Sequence, residues 1–232
     1  VTGYDDILDV YRSHIERPGS WNNLYERPAL KKLLPPLRGR DVLDLGCASG
    51  YYTDYALSQG ARVTAVDIAR GWIQRLEARP PDPALRVVRA DISRPMPFLA
   101  SDGYDCIIAS LVLHYLEDWE TALAEMHRVL RPGGRAVVST HHPCLTHKLH
   151  PADDLRDVFE VEETWARDSR QPFPVRFWVR SLAGTLRPFL QSAFHVVDVL
   201  EPPPDEAIEA DDPALYRRLK AEPSFLFIVL EK

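Results

Sequence analysis

The sequence predicts an α/β protein built on a mainly parallel sheet with helices on both faces. Two observations carry this expectation. Short, continuous apolar runs alternate with helical patterns between Val42 and Ser139, and the first run leads into a small-residue turn, DVLDLGCASG, at Asp41 to Gly50. Such runs suit strands buried on both faces, and their alternation with helices implies right-handed crossovers.

Taken in order, helices are expected over Asp5–Glu16 and Leu24–Leu34, the second stopped by Pro35-Pro36. Strands are expected at Val42–Leu45, Val63–Val66, Arg86–Val88, Cys106–Ala109 and Ala136–Ser139. Between them lie helical patterns at Tyr51–Ser58, Gly71–Ala78 and Trp119–Leu130. The last places Leu123, Met126, Val129 and Leu130 on one face and ends at Pro132-Gly133-Gly134. Beyond Ser139 the rhythm breaks. VFEVEETW and VRFWV alternate with a period of two, as in a half-exposed hairpin. A helix near Leu182–Ser192, the strand FHVVDVL, a Pro-rich turn with one short helix, and the strand FLFIVL complete the chain.

At 232 residues one sizeable core is expected rather than two full α/β domains. A formal charge of −6 speaks against a broad grip on nucleic acid, which needs clustered Lys and Arg. No run is long and apolar enough to span a bilayer. The acidic, amphipathic start lacks the features of a signal peptide, and the odd cysteine count (Cys47, Cys106, Cys144) suits a reducing compartment, so a cytoplasmic location is expected.

The turn after the first strand suits a nucleotide. Gly46 and Gly50 allow close backbone approach, and the next helix points its N-terminal amides at the ligand. A dinucleotide fingerprint would need glycines where Ala48 and Tyr51 stand, which disfavours nicotinamide or flavin cofactors. Asp67, ending the second strand, is placed to accept hydrogen bonds from ribose hydroxyls. Asp91, ending the third, is placed to accept a hydrogen bond from an adenine amine while the Ile92 amide faces the ring.

Six elements in order (D-x-G-C-x-x-G at Asp44–Gly50, Asp67, Asp91, YDCI at Tyr104–Ile107, SLVLHYLEDW and LRPGGRAVVS) resemble the class I S-adenosylmethionine-dependent methyltransferases. They are similar in particular to the small-molecule branch with the ubiquinone/menaquinone-type enzymes. The resemblance implies a Rossmann-like α/β fold: a seven-stranded, mostly parallel sheet with an antiparallel last strand, helices on both faces, an N-terminal helical lid and an insertion after strand five. A single domain would divide into a lid (1–38), a cofactor core (39–140), a substrate-side insertion (141–180) and a C-terminal completion of the sheet (181–232).

The cofactor so implied is S-adenosylmethionine. Gly46, Cys47, Ala48, Ser49 and Gly50 would wrap its methionine part, with Asp44 acting near the ammonium. Asp67 would take the ribose, Ile68 one adenine face, Asp91 and Ile92 the adenine edge, while Ser110 and Leu111 would lie beside the sulfonium. Cys47 is read as packing. Tyr11, Trp21 or Tyr25 would bond the cofactor carboxylate or stack on substrate, as parts of a lid that also draws on Tyr4, Trp165, Phe173, Phe177 and Trp178; the alternative is that these aromatics anchor the appended segments to the sheet.

An in-line transfer to oxygen or to an acidic carbon needs a base, and the candidates are His114, His141 and His142 near the ends of strands four and five. The surrounding HHPCLTHKLHPADD run fits no fixed ligand spacing, so no metal is assigned; its bland reading is a solvated loop. No Asn/Asp-Pro-Pro-aromatic run follows strand four, which disfavours macromolecular targets. The expected activity is methyl transfer to a small molecule, on oxygen before nitrogen before carbon, by a monomer or homodimer. The alternatives are cofactor binding without transfer, and non-methyl chemistry on the same fold.

Overall fold

The computed structural model describes residues 4–17, 19–154, 156, 158–165 and 172–232. The Tyr4 side chain and part of the substrate-side insertion (166–171) lie outside what is described.

Alternation within the strands decides which face each element covers. The strands β1 (Asp41–Leu45), β2 (Arg62–Asp67), β3 (Leu85–Arg89), β4 (Tyr104–Ser110) and β5 (Leu130–His141) pair in parallel, and β8 (His195–Leu200) and β9 (Phe225–Glu231) complete a seven-stranded sheet of order β3-β2-β1-β4-β5-β9-β8. The last strand, β9, inserts between β5 and β8 and runs antiparallel to both, with Val137 opposite Val229. Successive residues point to opposite faces. Ile107 and Ala109 of β4 therefore join one core with Leu226 and Ile228 of β9, and Cys106 and Ile108 join the other with Phe225 and Phe227.

Helices α5 (Glu120–Val129) and α7 (Leu182–Gln191) cover the first face through Leu123, Met126 and Phe189. The second face is covered by α2 (Arg27–Leu33) and α3 (Tyr51–Ser58) through Leu30 and Ala56. Each of the fully buried leucines contributes about 1.5–3 kcal/mol by leaving water. Helix α4 (Arg70–Glu77) packs beside β2 and β3, and α1 (Tyr4–Glu16) packs on α4.

The structure departs from expectation at four places. The second helix opens with a single π-turn, Asn22–Glu26, before α2. Strand β5 begins at Leu130 and runs through Pro132-Gly133-Gly134, because Gly133 takes φ 72° and donates its N–H to the Lys232 carbonyl at 2.9 Å. The HHPCLTH run is helical, not a solvated loop: α6 (Pro143–Leu149) starts on Pro143, with His142 as its N-cap. The acidic Pro-rich stretch holds two helices, α8 (Ala207–Asp211) and α9 (Pro213–Ala221), because Asp212 accepts from the Ala214 and Leu215 amides and caps the second.

Strands β6 (Phe159–Trp165) and β7 (Phe173–Val179) form a separate antiparallel hairpin. Its inward row, Phe173, Val175, Phe177 and Val179, packs against Val10 and Tyr11 of α1 and against Tyr115. This places α1 and the hairpin over the carboxyl ends of β1, β2, β4 and β5, where open α/β sheets bind ligands. No helix among the described residues is long and apolar enough to cross a membrane.

Candidate active site

A cleft of about 1030 Å³, counted with its open mouth, lies over these strand ends. The loop after β1 forms its floor. The Gly46 and Cys47 amides both donate to the Val66 carbonyl, at 2.8 and 3.0 Å, tying the loop to β2. Gly46 has φ 72°, and a Cβ there would run into the Val112 side chain, so only glycine fits. Ala48 adopts φ 44° and donates its N–H to Asp67 Oδ2 at 2.9 Å, which answers how an alanine can stand there. A non-glycine residue tolerates this left-handed geometry at a cost of about 1–2 kcal/mol. At Gly50, with φ 90°, a Cβ would meet Leu76 Cδ2 at 2.7 Å. Ser49 lines the cleft just before α3 begins.

Three carboxylates at or near strand ends line this cleft. Asp44 is almost fully buried and accepts from Thr53 Oγ1 at 2.6 Å; burial pushes its carboxyl up to about 7. Asp67 accepts the Ala69 amide at 2.8 Å on Oδ1 and Ala48 on Oδ2, and a carboxylate oxygen has lone pairs for more than one donor. Asp91 Oδ1 accepts from the Ser93 amide and hydroxyl at 3.0 and 2.7 Å. Ile68, Ile92, Ser110 and Leu111 complete the wall. Leu111 also has a positive φ, 48°, and donates its N–H to the Ser139 carbonyl at 3.0 Å. Cys47 packs with Ala65 and Leu76, and burial holds its thiol well above the usual range, in keeping with a packing role. A glycine cradle lined with buried acceptors suits a nucleoside with vicinal hydroxyls and a cationic tail.

Residues 43–138 match a family described as a methyltransferase domain. The chain is 30% identical over 191 residues to a malonyl-[acyl-carrier protein] O-methyltransferase of Enterobacter lignolyticus, covering 82% of this chain and 69% of that protein. It superposes on an S-adenosylmethionine dependent methyltransferase from Mesorhizobium loti with a TM-score of 0.72 at 26% identity, covering 92% of this chain and 99% of that one. The chain belongs to the class I S-adenosylmethionine-dependent methyltransferases. A Burkholderia thailandensis 1,6-didemethyltoxoflavin-N1-methyltransferase, solved with its substrate and S-adenosylhomocysteine, shares the fold at TM-score 0.59 and 22% identity, over all of this chain and 91% of that one. S-adenosylmethionine is the cofactor.

The methyltransferase has a second cavity, about 1380 Å³ with its mouth, which shares Tyr11, Ile15, Asn22, Leu111 and Tyr115 with the cofactor cleft. His114 lies on the 3-10 turn Leu113–Tyr115 directly after β4. It is 2% exposed, and neither ring nitrogen has a hydrogen-bond partner. Its ring stacks on His141, with centroids 3.9 Å apart and planes 17° apart. Burial, followed by the neighbouring His141, holds His114 well below the usual imidazole range. His141 is held down to about 4, mainly by burial, with Glu163 opposing and His150 adding to the shift. Both imidazoles are therefore neutral at pH 7. Glu163 accepts from His150 Nε2 at 2.6 Å and from Trp165 Nε1 at 2.8 Å across the same cavity.

Two residues expected at the site lie elsewhere, and a third lines only the second cavity. His142 lines neither cavity: its Nδ1 accepts the Cys144 amide at 3.2 Å and its Nε2 donates to Glu201 at 2.7 Å, so it caps α6. Adjacent residues at a strand end point to opposite faces, which sends His141 into the cavity and His142 away from it. His142→Ala is expected to lower stability by about 0.5–2 kcal/mol through loss of the cap while turnover stays unchanged; a loss of turnover with S-adenosylhomocysteine affinity retained would restore it to the site as a base. Tyr25 is 1% exposed, packs edge-on against Phe225 at 5.3 Å, and also lines neither cavity. Trp21 lines the second cavity rather than the cleft. Tyr11 lines both. Among the described residues, no three His, Cys, Asp or Glu side chains converge as metal ligands.

Two residues of the WNNLYERP run were not anticipated as site residues. Arg27, 5% exposed, lines the cleft with its guanidinium carbon 3.7 Å from the centre of the Tyr51 ring. Glu26 is fully buried behind the cleft wall and accepts from Tyr52 Oη at 2.8 Å, Ser110 Oγ at 2.8 Å and Ser139 Oγ at 2.6 Å. Burial pushes its carboxyl up, while the three hydroxyls and Arg27 pull the other way. The signal available in sequence was a Glu-Arg-Pro triplet opening a helix, which reads equally well as an ordinary helix start.

Proposed function

We propose that this methyltransferase methylates an oxygen atom of a small-molecule acceptor held in the second cavity. The observation that carries the reading is His114, a buried imidazole with no protein partner, in a cavity continuous with the cofactor cleft. Bound in the cleft, S-adenosylmethionine would supply an electrophilic methyl group, its sulfur keeping the electron pair as an acceptor oxygen takes the methyl.

The chain's own groups do the rest. Arg27 holds the cofactor carboxylate and Asp44 its ammonium, while the Gly46–Gly50 loop wraps the methionine part. Asp67 takes the ribose hydroxyls, Ile68 covers one adenine face, and Asp91 with Ile92 reads the adenine edge. Ser110 and Leu111 border the reacting end. Tyr11, Trp21 and the hairpin exclude water from above, and His114 accepts the hydroxyl proton, with His141 stacked behind it. An amine acceptor needs only its own neutral lone pair, whereas a hydroxyl needs the base that His114 offers. The O-methyltransferase activity named for the Enterobacter relative favours the same acceptor atom.

Labelled methyl donor and a panel of hydroxylated, aminated and carbon-acid small molecules provide the test. Label recovered on oxygen supports the reading, and label found only on nitrogen or carbon overturns it. For the cofactor site, Asp67→Ala is expected to weaken S-adenosylmethionine binding by about 1–3 kcal/mol in calorimetric titration. Unchanged affinity would remove the ribose assignment.

A further inference from the structure

We infer that Glu26 is a specificity-determining residue: the buried counter-charge for the cofactor's sulfonium, by which the cleft distinguishes the charged methyl donor from its uncharged thioether product. This rests on the cofactor placement proposed above and extends it to a residue that touches the cleft only through its wall.

The inference starts from charge balance. The donor carries three charges: a carboxylate, an ammonium and the sulfonium. Arg27 answers the first and Asp44 the second. Asp67 is committed to hydroxyls, and Asp91 lies at the adenine end, where Arg94 stands 3.5 Å from its Oδ2. The sulfonium is then left without a partner among the carboxylates that line the cleft. Ser110, which borders that end, donates its hydroxyl to Glu26 Oε1.

The hydrogen-bond pattern assigns Glu26 its charge. Leu111 N–H donates to Ser139 Oγ at 3.1 Å, which turns the Ser139 proton toward Glu26. With the Tyr52 and Ser110 hydroxyls, that makes three donors directed at one carboxyl group, the arrangement of an ionised, acceptor-only carboxylate. Arg27, beside it in sequence, balances this charge in the free protein. Once Arg27 is committed to the cofactor carboxylate, the Glu26 charge acts on the remaining cation, and at full burial it is screened far less than a surface charge.

A merely structural Glu26, tying the N-terminal segment to α3, β4 and β5, would affect every ligand of the cleft alike. The experiment therefore compares three ligands by calorimetry on native protein, Glu26→Gln and Glu26→Asp. They are S-adenosylmethionine, S-adenosylhomocysteine, and sinefungin, whose amine replaces the methylated sulfur. Glu26→Gln is expected to weaken both cationic ligands by about tenfold or more relative to S-adenosylhomocysteine, the loss of one buried charge interaction. Glu26→Asp, which keeps the charge, is expected to preserve the native ratio even if every affinity falls. Equal losses for all three ligands, or no loss, overturn the inference. Should Glu26→Gln fail to fold, the native protein decides: tighter binding of sinefungin than of S-adenosylhomocysteine supports the counter-charge, and the reverse order overturns it. If native protein binds none of the three, the cofactor placement itself has failed, an outcome distinct from loss of discrimination.

Discussion

Replacing His114 with phenylalanine should make the protein more stable and nearly inactive at once. Both ring nitrogens of His114 are buried without partners, and each such group costs about 1–3 kcal/mol relative to a satisfied or apolar one. Phenylalanine keeps an aromatic ring to stack on His141 and removes the unsatisfied atoms, so the melting temperature is expected to rise. Turnover is expected to fall by about 10²–10⁴-fold, the usual contribution of a positioned base. The depressed proton affinity of this imidazole does not disqualify it. A hydroxyl oxygen becomes far more acidic as it gains a methyl group, so a weak base that starts neutral can take its proton late in the transfer. Differential scanning calorimetry and initial rates at saturating substrate decide the matter, with S-adenosylhomocysteine affinity as the check on an intact cleft. A destabilised variant that retains full activity would return His114 to a structural role.

Cofactor binding should tighten as pH rises toward 7 and then level off. In the free protein burial holds the Asp44 carboxyl at about 7, so it is largely neutral at pH 5.5. An ammonium placed against it favours the ionised form, and binding then releases a proton. Below the free value, affinity is expected to rise by up to about tenfold per pH unit, the limit for one released proton. The effect on stability has the opposite sign. A carboxyl whose folded value exceeds its unfolded one makes the folded state bind more protons between the two values. Stability of the cofactor-free protein should thus decline as pH rises from about 4 to about 7 and flatten above that, so far as Asp44 alone decides it. Asp44→Asn should flatten both profiles. A pH-independent affinity for native protein between 5.5 and 8 would remove the ammonium from Asp44.

The parts of this protein that were legible in sequence are those where position along a strand dictates position in space. Asp44, Asp67 and Asp91 sit at or near the carboxyl ends of β1, β2 and β3, and the apolar runs before them locate those ends without ambiguity. The histidines were harder. His141 and His142 are neighbours, and composition alone cannot say which one faces the cavity; the answer depends on pleat register and on Pro143 starting a helix that needs a cap. Tyr25 was expected at the site only as one aromatic of a lid that the family resemblance implies. The segment opens with the π-turn Asn22–Glu26, in which Tyr25 packs into the core against Phe225, while Arg27 reaches the cleft and Glu26 lies buried behind its wall. The acidic stretch was expected to hold a Pro-rich turn and one short helix; it holds two, because Asp212 ends the first and, with Pro213, caps and opens the second.

The hairpin of β6 and β7 shares no ladder with the seven-stranded sheet, yet it supplies Glu163, Thr164, Trp165 and Phe177 to the second cavity. The loop and the strand-end carboxylates of the cofactor cleft come instead from the large sheet and its turns. On the proposed reading the hairpin adds one wall to the acceptor cavity, whose imidazoles His114 and His141 come from the large sheet's strand ends, while no hairpin residue lines the donor cleft. Substitutions at Glu163, Thr164, Trp165 or Phe177 can therefore reshape the cavity proposed for the acceptor while the lining of the methyl-donor cleft stays as it is.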